Sequence, residues 1–176
     1  MKRNLYGMAL FFLSTLTVSC GYSTKSALPA HFRTIYIENF KNNVTYTTET
    51  QRELYLPLLE VKVRNAVINR FLFDGVLKVV KSENADLILK GELKKYERTG
   101  LRFTDNNDVQ EYRVSVVVSL ELRDPSKLEP LWTESNFAGE ASFFLSGPSA
   151  KSEDAAVQEA IDDLARRVVE RTLEDW

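Results

Sequence analysis

Tyr112-Arg113-Val114-Ser115-Val116-Val117-Val118-Ser119-Leu120-Glu121-Leu122-Arg123 is the stretch on which the fold turns. Tyr112, Val114, Val116, Val118, Leu120 and Leu122 alternate with Arg113, Ser115, Val117, Ser119, Glu121 and Arg123. A period of two arises only in extended chain, where successive side chains leave on opposite sides, so this is a strand with one packed face. Its other face, mostly polar, is wet or meets a partner.

Working upstream, Leu87, Leu89, Gly91 and Leu93 share one face while Ile88, Lys90, Glu92 and Lys94 share the other, marking a second long strand. The polar tip Thr104-Asp105-Asn106-Asn107-Asp108 joins the two. Downstream, a turn at Asp124-Pro125-Ser126 leads into a strand over Leu131 to Leu145, with a break expected at Gly139. Gly147-Pro148 then separates a last helix, which Ser152 caps and whose positive end Glu153 and Asp154 favour. Val157, Ile161, Leu164, Val168 and Leu173 line its buried side.

Nearer the N-terminus, Thr34-Ile35-Tyr36-Ile37-Glu38-Asn39-Phe40 is β-branched and aromatic, a first strand, and Lys41 to Thr48 is a polar loop. Thr50 and Glu53 have capping-box spacing, but Pro57 moves the start of regular helix to its own position, since proline is favoured in a first turn. Leu59, Val63, Val67 and Phe71, with Ala66 alongside, form an apolar stripe that ends at Asp74-Gly75. Val76 to Val80 follows as a short strand, and strand-helix-strand of this length implies a parallel pair with a right-handed crossover. The expected fold is α+β, a two-layer sandwich with two helices on one face of a four- to five-stranded mixed sheet.

Ahead of this domain, residues 1–19 read as a secretion signal: Lys2 and Arg3 open it, Leu5 to Val18 is mostly apolar, and small Ser19 precedes Cys20. The apolar stretch is shorter than the roughly 20 residues a spanning helix needs, and it includes Ser14, Thr15 and Thr17. Leu16-Thr17-Val18-Ser19-Cys20 resembles a lipobox, although Thr17 stands where leucine is usual. The alternative is an ordinary signal with an incidental cysteine. Cys20 is the chain's single cysteine, so an internal disulfide cannot account for it. Lipid attached there, palmitate among its acyl chains, anchors strongly because each buried methylene contributes about 0.8 kcal/mol. Gly21 after the cysteine resembles the outer-membrane sorting signal of enterobacterial lipoproteins. Residues 20–32 then form a lipidated tether and 33–176 the folded domain.

Cleavage after Ser19 leaves 157 of 176 residues, enough for one core. It removes Lys2 and Arg3 and no acid, so 23 basic residues become 21 against 25 acidic, a net charge of −4. Nucleic-acid binders are normally basic, and that class is set aside. Catalytic and metal sites need several reactive groups together. His31, the only histidine, lies beside the tether and reads as a solvated linker residue, and no phosphate-binding Gly-rich loop, G-x-S-x-G elbow or H-E-x-x-H helix occurs. Asp162 and Asp163 precede Arg166 and Arg167 at the four-residue spacing of ordinary helix-surface pairs. Neither catalytic residues, metal ligands nor a cofactor are expected.

Binding remains. Lys90, Lys94, Arg98 and Arg102, with Arg113 across the hairpin, read as a cationic stripe in an otherwise acidic protein, suited to a phosphorylated ligand. The competing explanation for each is that it only solubilises the sheet face. Tyr96, Phe103, Phe143 and Phe144 are either partner contacts or core edges.

Cys20-Gly21-Tyr22, Leu28-Pro29, Ile35-Tyr36-Ile37-Glu38-Asn39-Phe40-Lys41-Asn42, Phe71-Leu72-Phe73-Asp74-Gly75 and Ala85-Asp86-Leu87-Ile88-Leu89-Lys90-Gly91-Glu92-Leu93 together resemble the LptE family of lipopolysaccharide-assembly lipoproteins. The resemblance implies a plug-like partner of the LptD β-barrel in the outer membrane, with lipopolysaccharide bound through basic residues. The best correspondences are Arg102 and Lys151. A longer segment around Asn43 to Tyr55 departs from the enterobacterial pattern. A second reading is a regulatory lipoprotein that activates a peptidoglycan synthase, or a curli-type export component. Those families also pair an I-x-x-F-x-N strand end with a later Ala-Asp-hydrophobic-Gly strand. A periplasmic hydrolase ranks behind both.

Overall fold

The structure, a computed structural model, describes residues 28–44, 56–82 and 84–174. The signal, Cys20, most of the tether and the Thr50/Glu53 capping box lie outside the described residues. In chain order the elements are β1 (Thr34–Ile37), β2 (Lys41–Asn42), α1 (Leu59–Asp74), β3 (Lys78–Val79), β4 (Leu87–Phe103), β5 (Val109–Arg123), β6 (Trp132–Phe144) and α2 (Glu153–Glu174). The sheet runs β3-β1-β4-β5-β6, with β2 pairing β4 off that path. β1 is parallel to β3 and to β4, while β4, β5 and β6 form an antiparallel meander.

The expected α+β sandwich is present. Val114, Val116, Val118, Leu120 and Leu122 are buried, and both helices cover that face. Leu59, Val63, Val67 and Phe71 line the buried side of α1, and Gly75 closes it in the left-handed region, φ 75°, its N–H donating to the Phe71 carbonyl at 3.0 Å. Leu58, not Pro57, precedes the first helical residue, and it adopts φ 57° with no side-chain cap. The Ser152 Oγ accepts the Ala155 N–H at 3.2 Å, as a cap should. α2 buries two rows, adding Ala156, Ala160, Ala165 and Val169 to the expected stripe.

Four local expectations are corrected. Lys41 and Asn42, read as loop, pair with Glu92 and Leu93 as β2. The Val76–Val80 strand shortens to Lys78–Val79. Gly139 does not break β6. It is the point where α2 comes closest, since a Cβ there would lie 2.2 Å from the Ala160 carbonyl oxygen and 2.5 Å from Leu164 Cβ. Finally, the i,i+4 pairs on α2 do not form as read. Arg166 bonds Asp163 at 2.6 Å and Glu170 at 2.7 Å instead. Asp163 also accepts the Glu140 N–H at 3.3 Å and Arg167 donates to the Ala138 carbonyl, so two charges cover backbone groups on the edge strand β6.

Two contacts fasten the parallel side. Asp86 Oδ2 accepts the Arg33 and Thr34 N–H groups, both at 2.9 Å, and the Thr34 hydroxyl at 2.8 Å, while the Asp86 N–H donates to Thr34 Oγ1 at 2.9 Å. These bonds, the Arg33 amide first and the Thr34 hydroxyl next, hold the Asp86 carboxyl below its ordinary range. Farther along, the Phe40 ring occupies the space a Cβ on Gly91 would need, with Phe40 Cζ 2.4 Å from that position.

Two outcomes follow for stability. Gly139→Ala, forced against backbone, is expected to destabilise by about 2–3 kcal/mol in a denaturant titration, whereas Gly147→Ala meets no neighbour and costs only its backbone strain. A folded-state carboxyl held low favours the native state, a contribution complete above the ordinary Asp pKa of 3.8 and lost as pH falls through the lower folded value. Asp86→Asn should therefore cost about 1–2 kcal/mol at neutral pH and show a shallower loss of stability in acid than wild type.

Candidate functional site

The cations expected to form one stripe are divided by the strand that carries them. Leu93 lies opposite Val118 and Lys95 opposite Val117, so Lys94 is an inserted residue and β4 bulges there. One extra residue exchanges the faces of everything that follows. Lys90, Glu92 and Lys94 lie on the open face before the bulge. Beyond it Lys95, Glu97 and Thr99 occupy that face, while Tyr96 and Arg98 sit opposite Val116 and Val114 on the helix side.

There they meet Glu153, the first residue of α2. Its carboxylate accepts the Tyr96 hydroxyl at 2.8 Å and the Arg98 guanidinium at 2.6 Å, and Arg98 also lies over the Tyr112 ring at 5.0 Å. The bond to Glu153 holds the Arg98 guanidinium more firmly protonated than an ordinary arginine. Burial first, and Glu153 second, push the Tyr96 hydroxyl well above its usual range. Arg98 is thus a fastening between the hairpin and the helix.

A second irregularity, between Gly100 and Arg102, returns Arg102 to the open face opposite Glu111. Among the described residues Arg102 is the most exposed of the paired cations, 62% of its side chain, with Glu111 3.6 Å away and the Phe144 ring 5.4 Å from its guanidinium. Phe144 also accepts the backbone N–H of Lys151 at 3.3 Å, and its strand end bridges Ala150. The Lys151 ammonium is paired with Glu159 of α2. The fold therefore brings the Arg102 guanidinium to the Phe144 ring and the Lys151 backbone to the Phe144 carbonyl, while the Lys151 ammonium stays with α2. Leu101, Phe103 and Leu145 stand exposed at the same hairpin end, by 40%, 53% and 54%. Cations beside open apolar side chains suit an amphiphilic anion.

Lys94 and Arg113 remain on the open sheet face, paired with Glu92 at 3.2 Å and Glu140 at 3.5 Å. Lys90 with Glu38, Lys95 with Glu97 and Arg123 with Glu121 complete a surface of alternating charge. Exposed pairs of this kind contribute about 0–1 kcal/mol each. Of the four aromatics, Tyr96 and Phe143 are core, Phe144 is half-buried and Phe103 is open. Of the acidic partners, Glu111 and Glu159 were not singled out in the sequence, and Glu153 only as a favourable charge at the start of the helix. Only the register of the bulged hairpin and the docking of α2 bring them to the cations. Cys20 lies outside the described residues. His31 is exposed, its ring 4.0 Å from that of Phe32. Among the described residues no group of three or more His, Cys, Asp or Glu could hold a metal ion, and no helix is long and apolar enough to cross a membrane.

A family model described as LptE, lipopolysaccharide-assembly, matches residues 32–172. No curated protein sequence matches the chain. Among solved structures, hypothetical protein CT253 from Chlamydia trachomatis is similar at TM-score 0.53 and 16% identity, over 80% of this chain and 95% of that one. A minor lipoprotein from Acinetobacter baumannii matches at TM-score 0.51 and 13% identity, covering 80% and 91%. A PelC dodecamer from Paraburkholderia phytofirmans matches at TM-score 0.51 and 16% identity, covering 86% and 96%. At these identities the structural matches establish the fold alone.

Proposed function

The chain belongs to the LptE family of lipopolysaccharide-assembly proteins, and from that premise we propose that it is an outer-membrane lipoprotein, anchored through Cys20, that lodges as a plug in an LptD-type β-barrel. In this role it helps the barrel deliver lipopolysaccharide to the outer leaflet and binds that lipid through Arg102 and Lys151. The observation that carries the ligand reading is the largely exposed Arg102 guanidinium over the Phe144 ring beside the exposed Leu101, Phe103 and Leu145, with Lys151 joined to the end of the same strand through its backbone. Lipid A offers phosphates to the cations and acyl chains to the apolar rim.

The open sheet face supports the plug reading. A barrel lumen is polar, and a face of alternating Lys, Arg and Glu side chains presents no large apolar area to it. Nothing in this role demands turnover: the protein holds and positions, and is not an enzyme. The peptidoglycan-synthase activator and curli-type component rested on motifs whose key residues, Phe40, Asp86 and Gly91, build the sheet. Lys94, Arg98 and Arg113 enter the ligand reading only as secondary contacts: Glu153 and Tyr112 hold Arg98 in the fastening between hairpin and helix, and Lys94 and Arg113 belong to the charged sheet face.

A tagged copy expressed from the full chain should co-purify with a large outer-membrane β-barrel, and recovery of a penicillin-binding protein instead would overturn the assignment. The double variant Arg102→Glu/Lys151→Glu is expected to weaken lipopolysaccharide binding at least about tenfold, with an unchanged circular dichroism spectrum. Binding at wild-type strength would return both residues to a purely solubilising role.

A further inference from the structure

The end of the molecule where the chain enters the domain carries a second apolar group, on segments that are separate in sequence. β1 starts there: Lys78 donates its N–H to the Arg33 carbonyl at 2.9 Å, and Ile35 pairs with Leu87 at the start of β4. α1 runs back to this end, leaving Leu72 61%, Phe73 81% and Val76 47% exposed. β5 finishes there, Arg123 opposite Ile88, and the β5–β6 turn carries Leu128, 97% exposed. His31 and Phe32 share a cavity with Asp86, Asp124 and Ser126, which places the entering chain against that turn.

These protrusions have basic company. Lys78, Lys81 and Lys127 are exposed around them, and the Arg70 guanidinium lies 5.4 Å from the Phe73 ring centre. Two acids of this end are occupied internally: Asp86 by Arg33 and Thr34, and Asp124 by Ser126, whose hydroxyl and N–H donate to it at 2.6 and 2.9 Å. Asp124 also lies 3.9 Å from the Lys127 ammonium, and among the described residues the exposed acids Asp74 and Glu129 remain at this end with Lys78 and Lys81.

We propose that this end rests on a lipid surface, with Leu72, Phe73, Val76 and Leu128 entering the headgroup layer and Lys78, Lys81 and Lys127 facing anionic phospholipid. The inference rests on the lipoprotein reading above. Eight residue steps separate Cys20 from Leu28, and a fully extended chain of that length spans at most about 28 Å, less than the bilayer's own thickness. An acylated Cys20 therefore keeps this end, and not the hairpin end, beside the membrane. Isolated leucines on a surface need no explanation. Four large exposed apolar side chains and three lysines at the tethered end are the composition of an interfacial contact, and a second membrane signal reinforces an acyl anchor.

The full, processed protein in vesicles of phosphatidylethanolamine and phosphatidylglycerol provides the test. Single substitutions Phe73→Cys, Leu128→Cys and, at the opposite hairpin tip, Asn106→Cys carry an environment-sensitive fluorophore, and nitroxide-labelled lipids serve as quencher. The expected result is blue-shifted emission and strong quenching at 73 and 128, with neither at 106. Water-like emission at all three, in protein whose Cys20 is shown by mass spectrometry to be acylated, overturns the lipid contact and leaves the lipoprotein reading standing. An unmodified Cys20 overturns both. Shielding at 73 and 128 that appears only when the barrel is added assigns the surface to the barrel and overturns the proposal.

Discussion

The parallel seam between β1 and β4 is the constraint on which the rest depends. β1 has four residues and β3 two, too few for ladder bonds alone to fix their placement. Asp86 supplies what is missing at one end by accepting three hydrogen bonds from Arg33 and Thr34, and Phe40 supplies it at the other by packing where Gly91 has no side chain. Arg64 of α1 adds a third fastening, its guanidinium donating to the Ile37 and Glu38 carbonyls at 2.9–3.2 Å beyond the end of β1. The helix and strand are thereby held in one position relative to the long meander. A change of one residue in this seam would turn Ile35 and Ile37 out of the core.

This seam also explains why the most recognisable sequence motifs say little about function by themselves. The Asp of Ala85-Asp86-Leu87, the Gly of Lys90-Gly91-Glu92 and the Phe of Asn39-Phe40-Lys41 are the residues that close it. Any protein built on the same seam has reason to keep them, whatever it binds. Family membership comes from a match across residues 32–172, far more than these positions.

Where the sequence was legible, one element governed its own pattern. The alternation of Val114 to Leu122, the stripe of α1 and the Ser152 cap are local consequences of period or capping chemistry, and all appear as expected. What escaped was set by neighbours. Bulging at Lys94 leaves no mark in composition, because Lys94 and Lys95 are equally acceptable on a wet face, yet it sends Arg98 to Glu153 and away from Lys94. β2 exists only because β4 offers Glu92 and Leu93 as partners, and Gly139 reads as a breaker until α2 is seen to lie on it. Arg102 and Lys151 could be named from resemblance, but the placement of the Arg102 guanidinium over the Phe144 ring needed the full register of β4, β5 and β6.

That every candidate cation has an acidic partner does not disqualify the hairpin end as an anion site; it ranks the cations. Arg102 and Glu111 are 3.6 Å apart with the arginine largely in water, so their attraction is screened and worth about 0–1 kcal/mol, and a phosphate presenting several oxygens can displace it. Arg98 is a different case. Its bond to Glu153 is 2.6 Å, the same carboxylate is held by Tyr96, and the guanidinium is stacked on Tyr112, so a ligand would have to break a network that also seats the helix. Lys151 falls between, paired with Glu159 through a flexible side chain but less exposed than Arg102. Carboxylates beside the cations also reject weakly charged anions that cannot outcompete them. In the proposed ligand site, selectivity for a densely phosphorylated amphiphile would follow from the acids as much as from the bases, with the apolar rim of Leu101, Phe103 and Leu145 discriminating against soluble phosphates.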